Sequence, residues 1–238
     1  KTQNFKSIIL ALVGFTGAAF FHGASILGAM TFIVFVGLYS MKESFLLLKN
    51  FEIKLSHLFL VILFFALTIL YLSGEIYFPY IKSFDFVSNP DTLLRKTNVS
   101  VMGGAAYPEW TKATSAIELI YKVPARSFYF LFSPFLWDIR EAKHLIGFFD
   151  ALLYIYLFIL ILKNIKVIWR DPILRIILLI SLTYIVAFAV GVGNFGTGIR
   201  HRSKFVVMFI LLAAPLINRL VIPKKLFIKK IFRVLVNR

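Results

Sequence analysis

The segment Gly193-Asn194-Phe195-Gly196-Thr197-Gly198-Ile199-Arg200-His201-Arg202 connects two apolar stretches, Ile173–Val192 and Phe205–Ile222. Each stretch is close to the length of about 20 residues with which a helix crosses a bilayer. The connection contains three glycines, and two arginines flank its histidine. Guanidinium groups and backbone amides beside glycine both favour anionic oxygen atoms. This pattern predicts two membrane-spanning helices joined by a short loop that binds a phosphorylated ligand.

The composition of the whole chain indicates a membrane protein. Hydrophobic residues make up 60% of the 238 positions, and the mean hydropathy is +0.85, whereas soluble domains average about 45–50% apolar residues. The absence of cysteine excludes disulfides and thiolate metal sites, and the four scattered histidines lack the spacing of a metal site. The formal charge of +16 lies between apolar runs. We therefore attribute it to membrane topology and not to nucleic-acid binding.

Further apolar segments raise the predicted number of spans to six. Ser7–Ser40 is too long for one upright helix and is expected to form two, with a break near His22. Leu55–Leu72 and Leu145–Leu162 supply one span each. The expected fold is all-α, a polytopic membrane helix bundle that occupies residues 1–238 as one integral membrane domain. Because the chain lacks an initial methionine, we expect it to be part of a longer protein.

The distribution of lysine and arginine predicts the orientation of the bundle. With the basic tail 223–238 in the cytoplasm, the short cytoplasmic connections are rich in cations, as the positive-inside rule requires. Residues 73–143 then form one large periplasmic loop. Only the short external loop Asn194–Lys204 breaks the rule, because its cations lie on the outer side. This exception favours a functional role for these arginines. The alternative is that they bind lipid headgroups or stabilise the end of a helix.

The large loop is too rich in aromatic residues to be a disordered linker. Thr111–Lys122 has apolar residues at the spacing of an amphipathic helix. Residues 124–137 contain six aromatic residues and two interrupting prolines, a composition that suits the membrane interface. We expect these residues either to cover a cavity, as a re-entrant or interfacial element, or to anchor the loop at the interface as an aromatic belt.

The glycine-rich connection supplies the first candidate site residues. Arg200 and Arg202 can bind phosphate oxygens bidentately, and Asn194 and Thr197 add neutral hydrogen-bonding groups. His201 lies between the arginines, which disfavour its protonation. It is therefore a candidate proton acceptor, with a structural hydrogen bond as the alternative.

Four further residues are predicted to face the same side of the membrane. Arg126 and Arg140 flank the aromatic segment and could bind the same anion, although loop arginines are usually solvated or paired. Asp150 lies inside a predicted span, where an ionisable side chain is a functional candidate by default; the alternative is an ion pair with one of the arginines. His22 lies at the break in the first apolar run, where a satisfied turn residue is the alternative. Motifs for phosphate-loop, paired-histidine and nucleophile-elbow chemistry do not occur.

Three features together resemble the C-terminal part of bacterial polysaccharide polymerases of the Wzy/EpsG-like type, which build O-antigen and capsule. They are Phe21-His22-Gly23-Ala24-Ser25 in its long apolar run, the aromatic outer loop, and the glycine–arginine segment 193–202. The resemblance covers most of the chain in architecture, but only two short motifs in residues. It implies an inner-membrane glycosyltransferase that extends glycan repeats carried on undecaprenyl pyrophosphate at the periplasmic face, with Arg200, Arg202 and Arg126 binding the pyrophosphate. The implied partners are the lipid-linked oligosaccharide, membrane lipids, and chain-length regulator and flippase proteins, without a cofactor.

Two other functions compete with the polymerase. A lipid-linked oligosaccharide flippase or other transporter predicts charges along several helices, whereas intramembrane charge here is nearly confined to Asp150. A glycosyltransferase that uses a polyprenyl-phosphate sugar predicts an acidic pair in a first outer loop, which this chain does not contain. The polymerase hypothesis predicts that His201 or Asp150 accepts the proton of the acceptor sugar hydroxyl. It also predicts that the aromatic residues of Phe128–Trp137 stack on sugars and line the entry of the prenyl chain.

Overall fold

The computed structural model describes residues 5–21, 25–47, 62, 90–99, 101 and 104–221. Over these residues the protein is all-helical and contains no β-strand, apart from an isolated bridge between Ala106 and Asn194. The all-α expectation is therefore confirmed for this part of the chain. His22, the tail 223–238 and, except for Ile62, the predicted span Leu55–Leu72 lie outside the described residues.

The described part contains eight α-helices. They are α1 (Phe5–Phe21), α2 (Ser25–Leu47), α3 (Pro90–Val99), α4 (Ala116–Phe132), α5 (Ala142–Arg170), α6 (Pro172–Gly191), α7 (Phe195–Arg202) and α8 (Val206–Val221). Short 3-10 helices occupy Glu109–Thr111, Leu136–Asp138 and Ser203–Phe205.

Two of these helices are long and apolar enough to cross a membrane by length and composition. They are His144–Arg170 within α5 and the whole of α6, each with a mean hydropathy of 2.5. Ser7–Ala18 and Ser25–Tyr39 are shorter apolar helices. They belong to α1 and α2, which flank the break that the sequence predicts.

The two long helices run antiparallel: only Asp171 separates them at one end, and at the other end Asp150 of α5 and Phe188 of α6 both contact the segment 202–205. The Asp171 carboxylate accepts hydrogen bonds from the backbone N–H groups of Ile173 and Leu174, and Pro172 is the first residue of α6. An aspartate cap followed by proline is a strong start signal for a helix. The N-terminal end of α5 and the C-terminal end of α6 consequently lie at the same end of the bundle.

The last helix, α8, packs against both. The rings of Tyr154 in α5 and Phe209 in α8 are 5.6 Å apart, and Asn164 Nδ2 donates to the carbonyl of Ala213 at 3.3 Å. Residue numbers rise together along the two helices, so α8 runs parallel to α5. These contacts place the 3-10 turn Ser203–Phe205 at the same end of the bundle as the start of α5.

The first two helices pack beside α6. Thr31 and Thr183 hydroxyls are 2.8 Å apart, and the Arg175 guanidinium lies 5.2 Å from the ring centre of Phe35. Gly28 permits the close approach of α2, because a Cβ there would collide with the Tyr184 hydroxyl group. The helix α2 therefore lies along α6, and α1 packs on α2, where the rings of Phe15 and Phe32 are 5.6 Å apart.

One helix in the predicted outer loop differs from expectation. The amphipathic helix starts at Ala116, after a Ser115 cap, and it continues through Pro124 to Phe132. Proline removes one backbone hydrogen bond within a helix, but the following turns are held by buried Arg126 and Phe130. Pro124 therefore does not break this helix, and the chain turns only at Ser133 and Pro134.

Candidate functional site

The first feature of the candidate site is the buried side chain of Arg202, which is 0% exposed. Its Nη1 donates to the carbonyls of Phe130, Leu131 and Ser133 at 3.2, 2.9 and 2.7 Å. Its Nε and Nη2 donate to Asp150 Oδ2 at 2.7 and 2.6 Å. Because the last carbonyls of a helix lack partners within the helix and carry partial negative charge, this guanidinium caps α4 and ties it to α5.

Arg126 makes the equivalent set of contacts with a different helix. It is also 0% exposed, and it donates to the carbonyls that end α6: Ala189 at 2.8 Å, Val190 at 3.2 Å and Val192 at 3.0 Å. Its remaining nitrogen donates to the Thr111 carbonyl at 3.1 Å. Burial lowers the pKa of Arg126. We refer to Arg126 and Arg202, with their carbonyl partners, as the arginine clamps.

The clamps change the interpretation of three predicted site residues. Every guanidinium nitrogen of Arg126 and Arg202 donates to a protein oxygen, so binding of phosphate would require these bonds to break. Asp150 forms the ion pair that the sequence left open as its alternative, and its side chain is 28% exposed. In this geometry the three residues hold the end of the bundle together.

The glycine-rich segment packs against residues 105–107 at this end. The backbone N–H of Tyr107 donates to the Gly193 carbonyl at 2.8 Å, and that of Phe195 donates to the Ala105 carbonyl at 3.0 Å. A Cβ at Gly198 would lie 3.1 Å from the Tyr107 hydroxyl oxygen. Burial raises the pKa of Tyr107. Glycine at position 198 therefore serves close packing.

Asn194 and Thr197, predicted to bind an anion, belong to a helix cap. The Asn194 Oδ1 accepts the backbone N–H groups of Gly196 and Thr197 at 2.8 and 3.3 Å, which starts α7. A side-chain oxygen that satisfies the first amides of a helix is a standard cap. These two amides already have a partner within the protein.

Arg200, by contrast, is exposed and belongs to a second group of cations. Lys204 is also exposed, and its Nζ lies 3.2 Å from Nδ1 of His201. The His201 ring stacks on Phe188 with 4.8 Å between ring centres. Burial and the neighbouring Arg200 lower the pKa of Lys204. We call Arg200, His201 and Lys204 the basic cluster.

An apolar cavity of about 530 Å³ opens beside the basic cluster. Its walls come from α1, the start of α2, α6 and the start of α8. The described lining residues are Ala11, Gly14, Phe15, Ala18, Ser25, Tyr184, Phe188, Lys204, Phe205 and Met208. Lys204 is the only charged residue among them. The arrangement suits a ligand with an apolar chain and an anionic head, because pockets of this size enclose most of a small ligand and a few polar groups orient it.

Lys204 was not singled out as a site residue from the sequence, although it contributes to the unexpected charge of the loop that the sequence predicts to be external. The available signal was its position three residues after His201 and four after Arg200, because residues three and four positions apart lie on one face of a helix.

His144 was also missed: it is buried, and its ring contacts Phe195 edge to face at 4.9 Å. Arg140 is exposed before α5, and its backbone N–H donates to His144 Nδ1 at 3.2 Å.

Among the described residues, no group of three or more histidine, cysteine, aspartate or glutamate side chains could hold a metal ion.

No protein-family model matches the chain, and comparisons with curated proteins and with solved structures gave no match either.

Proposed function

We propose that this protein is a bacterial inner-membrane glycosyltransferase of the polysaccharide-polymerase type, which extends glycan repeats carried on undecaprenyl pyrophosphate at the periplasmic face. The observation that carries the proposal is the apolar cavity with the basic cluster beside it. An amphiphile with a long apolar chain and a pyrophosphate head combines the two properties that this site accommodates.

Exposure of apolar surface supports the membrane location. Only 33% of the apolar window in α5 and 39% of that in α6 are buried inside the protein. The core helix of a soluble protein would be mostly buried, and large uncovered apolar surfaces are rare on soluble proteins. In this proposal α1, α2, Leu55–Leu72 and α8 supply the other four of six spans.

The proposed topology follows from the charges of the loops. The clamp end of the bundle faces the periplasm together with residues 73–143, and the tail 223–238 is cytoplasmic. Lys163, Lys166 and Arg170 are exposed on the last turns of α5, at the opposite end. The basic cluster then lies in the outer leaflet, where a lipid-linked glycan is presented.

The chemistry assigned to the cluster is stabilisation of a leaving group. The acceptor sugar hydroxyl attacks the anomeric carbon of the lipid-linked chain, and the bond from that carbon to the pyrophosphate oxygen breaks. Arg200 and Lys204 stabilise the negative charge that develops on undecaprenyl pyrophosphate. His201 accepts the proton of the acceptor hydroxyl, since Asp150 is held by Arg202.

The test uses a strain whose surface glycan depends on this gene. We expect Arg200→Ala and Lys204→Ala, at wild-type protein levels, to reduce long-chain glycan by at least about tenfold and to accumulate single repeats, because each removes a charged donor from the leaving group. Lys166→Ala, an exposed cation at the opposite end, is the matched control. Unchanged long chains in both cluster variants would reject the site. Loss of glycan without any external single repeat would indicate a flippase instead.

A further inference from the structure

One face of α4 is apolar and exposed. Ile117, Ile120, Tyr121 and Phe128 follow helical spacing along it, and their exposed fractions run from 52% to 79%. The opposite face carries buried side chains, Arg126 and Phe130 among them, and packs on α6. The exposed face therefore has no covering within the described part of the protein.

The C-terminal end of α4 lies beside the second and third turns of α5 and not beside its first residues. Through Arg202, the last carbonyls of α4 are joined to Gly147 and Asp150, the sixth and ninth residues of α5. At 1.5 Å per residue these positions are about 8 and 12 Å along the helix. A Cβ at Gly147 would lie 3.2 Å from Pro134. The turn after α4 is thus level with the apolar part of α5, which begins at His144.

Several backbone groups on both sides of this turn have partners within the protein. The Arg202 guanidinium satisfies the carbonyls of Leu131 and Ser133, and the Phe135 N–H donates to Asp138 Oδ2 at 2.9 Å. Ser133 and Pro134 are buried. Non-helical backbone is tolerated at membrane depth only when it is buried in protein or lines a water-filled cavity, and Ser133 and Pro134 meet the first condition.

Exposed apolar side chains also follow the turn, both in the 3-10 helix and on the first turns of α5. Leu136 and Trp137 are 67% and 73% exposed in the 3-10 helix that follows, and Ile146 and Phe149 are 77% and 67% exposed on the first turns of α5. If α5 crosses the bilayer, Ile146 and Phe149 face lipid. The exposed face of α4 is joined to the 3-10 helix by stacked rings, because Phe135 stacks on both Phe128 and Trp137.

We propose that α4 and residues 133–138 form a hairpin inserted in the outer leaflet, with the exposed face of α4 and Trp137 in contact with lipid acyl chains. The proposal rests on the membrane location proposed above, but not on glycosyl transfer. It makes this part of the large loop a lipid-binding element that Arg202 ties to α5.

The experiment uses single-cysteine variants, since the chain has no cysteine of its own. The full chain is reconstituted in vesicles of phosphatidylethanolamine and phosphatidylglycerol, with a nitroxide label at Y121C or W137C. Paramagnetic resonance compares collisions with oxygen, which partitions into lipid, and with a water-soluble nickel complex. I146C is the lipid reference, and E109C, at a side chain that is 79% exposed, is the aqueous reference.

Oxygen collisions should dominate at positions 121 and 137, as they do at 146, while nickel collisions dominate at 109. Nickel-dominated collisions at either test position, with 146 still in lipid, would overturn the hairpin and leave the membrane location intact. Nickel-dominated collisions at 146 as well would overturn both. Spin–spin broadening at 121 would show that a second copy of the chain covers this face, which also contradicts the proposal.

Discussion

Arg200 and Arg202 are two residues apart in one short helix, yet their surroundings differ completely. Residues two positions apart point about 200° from each other around an α-helix, so one faces outward and the other faces the bundle. Arg202 is fully buried in carbonyl groups and Asp150, whereas Arg200 is exposed in the basic cluster. Charge in a motif therefore does not define the role of a residue, because the side of the helix decides whether a cation is buried in the fold or exposed at the surface.

The largest effect that separates the two arginines is on stability. Arg202→Ala should lower the free energy of unfolding by about 3–5 kcal/mol, because it leaves the Asp150 carboxylate without its partner and uncaps α4. Arg200→Ala should change it by less than about 0.5 kcal/mol. Thermal unfolding of the purified protein in detergent measures both.

Arg202→Lys serves as the control for charge alone. Lysine cannot reproduce the branched geometry of the guanidinium, so this variant should remain destabilised. Stability equal to wild type in Arg202→Ala would contradict the clamp.

A smaller effect is expected where the clamp end is most tightly packed. In Gly147→Ala the new Cβ would lie 2.6 Å from Ile199 Cδ1 and 3.2 Å from Pro134, so we expect a loss of about 1–3 kcal/mol from overpacking. Adding Ile199→Val, which removes that Cδ1, should recover part of the loss. No change in the melting temperature of Gly147→Ala would show that α5, α7 and the turn at Pro134 do not meet as described.

The smallest effect concerns the start of α4, which is held by a surface cap and not by a buried clamp. Hydrogen bonds from Lys122 and Thr114 lower the pKa of Glu118 from 4.5 to about 2. Since the folded pKa is depressed, the stabilisation is present above the ordinary pKa and is lost as the pH falls from about 4.5 to about 2. Hydrogen exchange of the first turn of α4 should accelerate over this range.

Glu118→Gln is the matched variant, because it keeps the shape of the side chain and removes its titration. Its first turn should exchange at a rate that is independent of pH across the same range, once intrinsic exchange is corrected. An identical pH dependence in both proteins would show that Glu118 is not the responsible group.

Helix positions could be read from the sequence where periodicity and length agree. Ile173–Val192 and Phe205–Ile222 differ by one residue at each end from α6 and α8. The predicted span Leu145–Leu162 is shorter than α5, which continues to Arg170 because Asn164 and Ile168 remain buried on one side of its charged last turns.

The clamps could not be predicted in the same way. Their partners are backbone carbonyls, which every residue carries, so no residue type marks them. An ion pair of Asp150 with an arginine was anticipated as an alternative. Which arginine is the partner depends on how α7 is oriented about its own axis, and the sequence does not indicate that orientation. The place of Lys204 beside the cavity depends on how α1 and α6 face each other across it, for which the sequence contains no periodic signal.

Direct binding of undecaprenyl pyrophosphate to the purified full chain, measured by native mass spectrometry, tests the basic cluster most directly. Gly14 lines the cavity and Gly17 does not, and a Cβ at either would meet open space. We predict at least about tenfold weaker binding, or about 1.4 kcal/mol, for Gly14→Leu and for the Arg200→Ala, Lys204→Ala double variant, with Gly17→Leu and Lys166→Ala unchanged. Equal affinity in all four variants and the wild type would contradict the account.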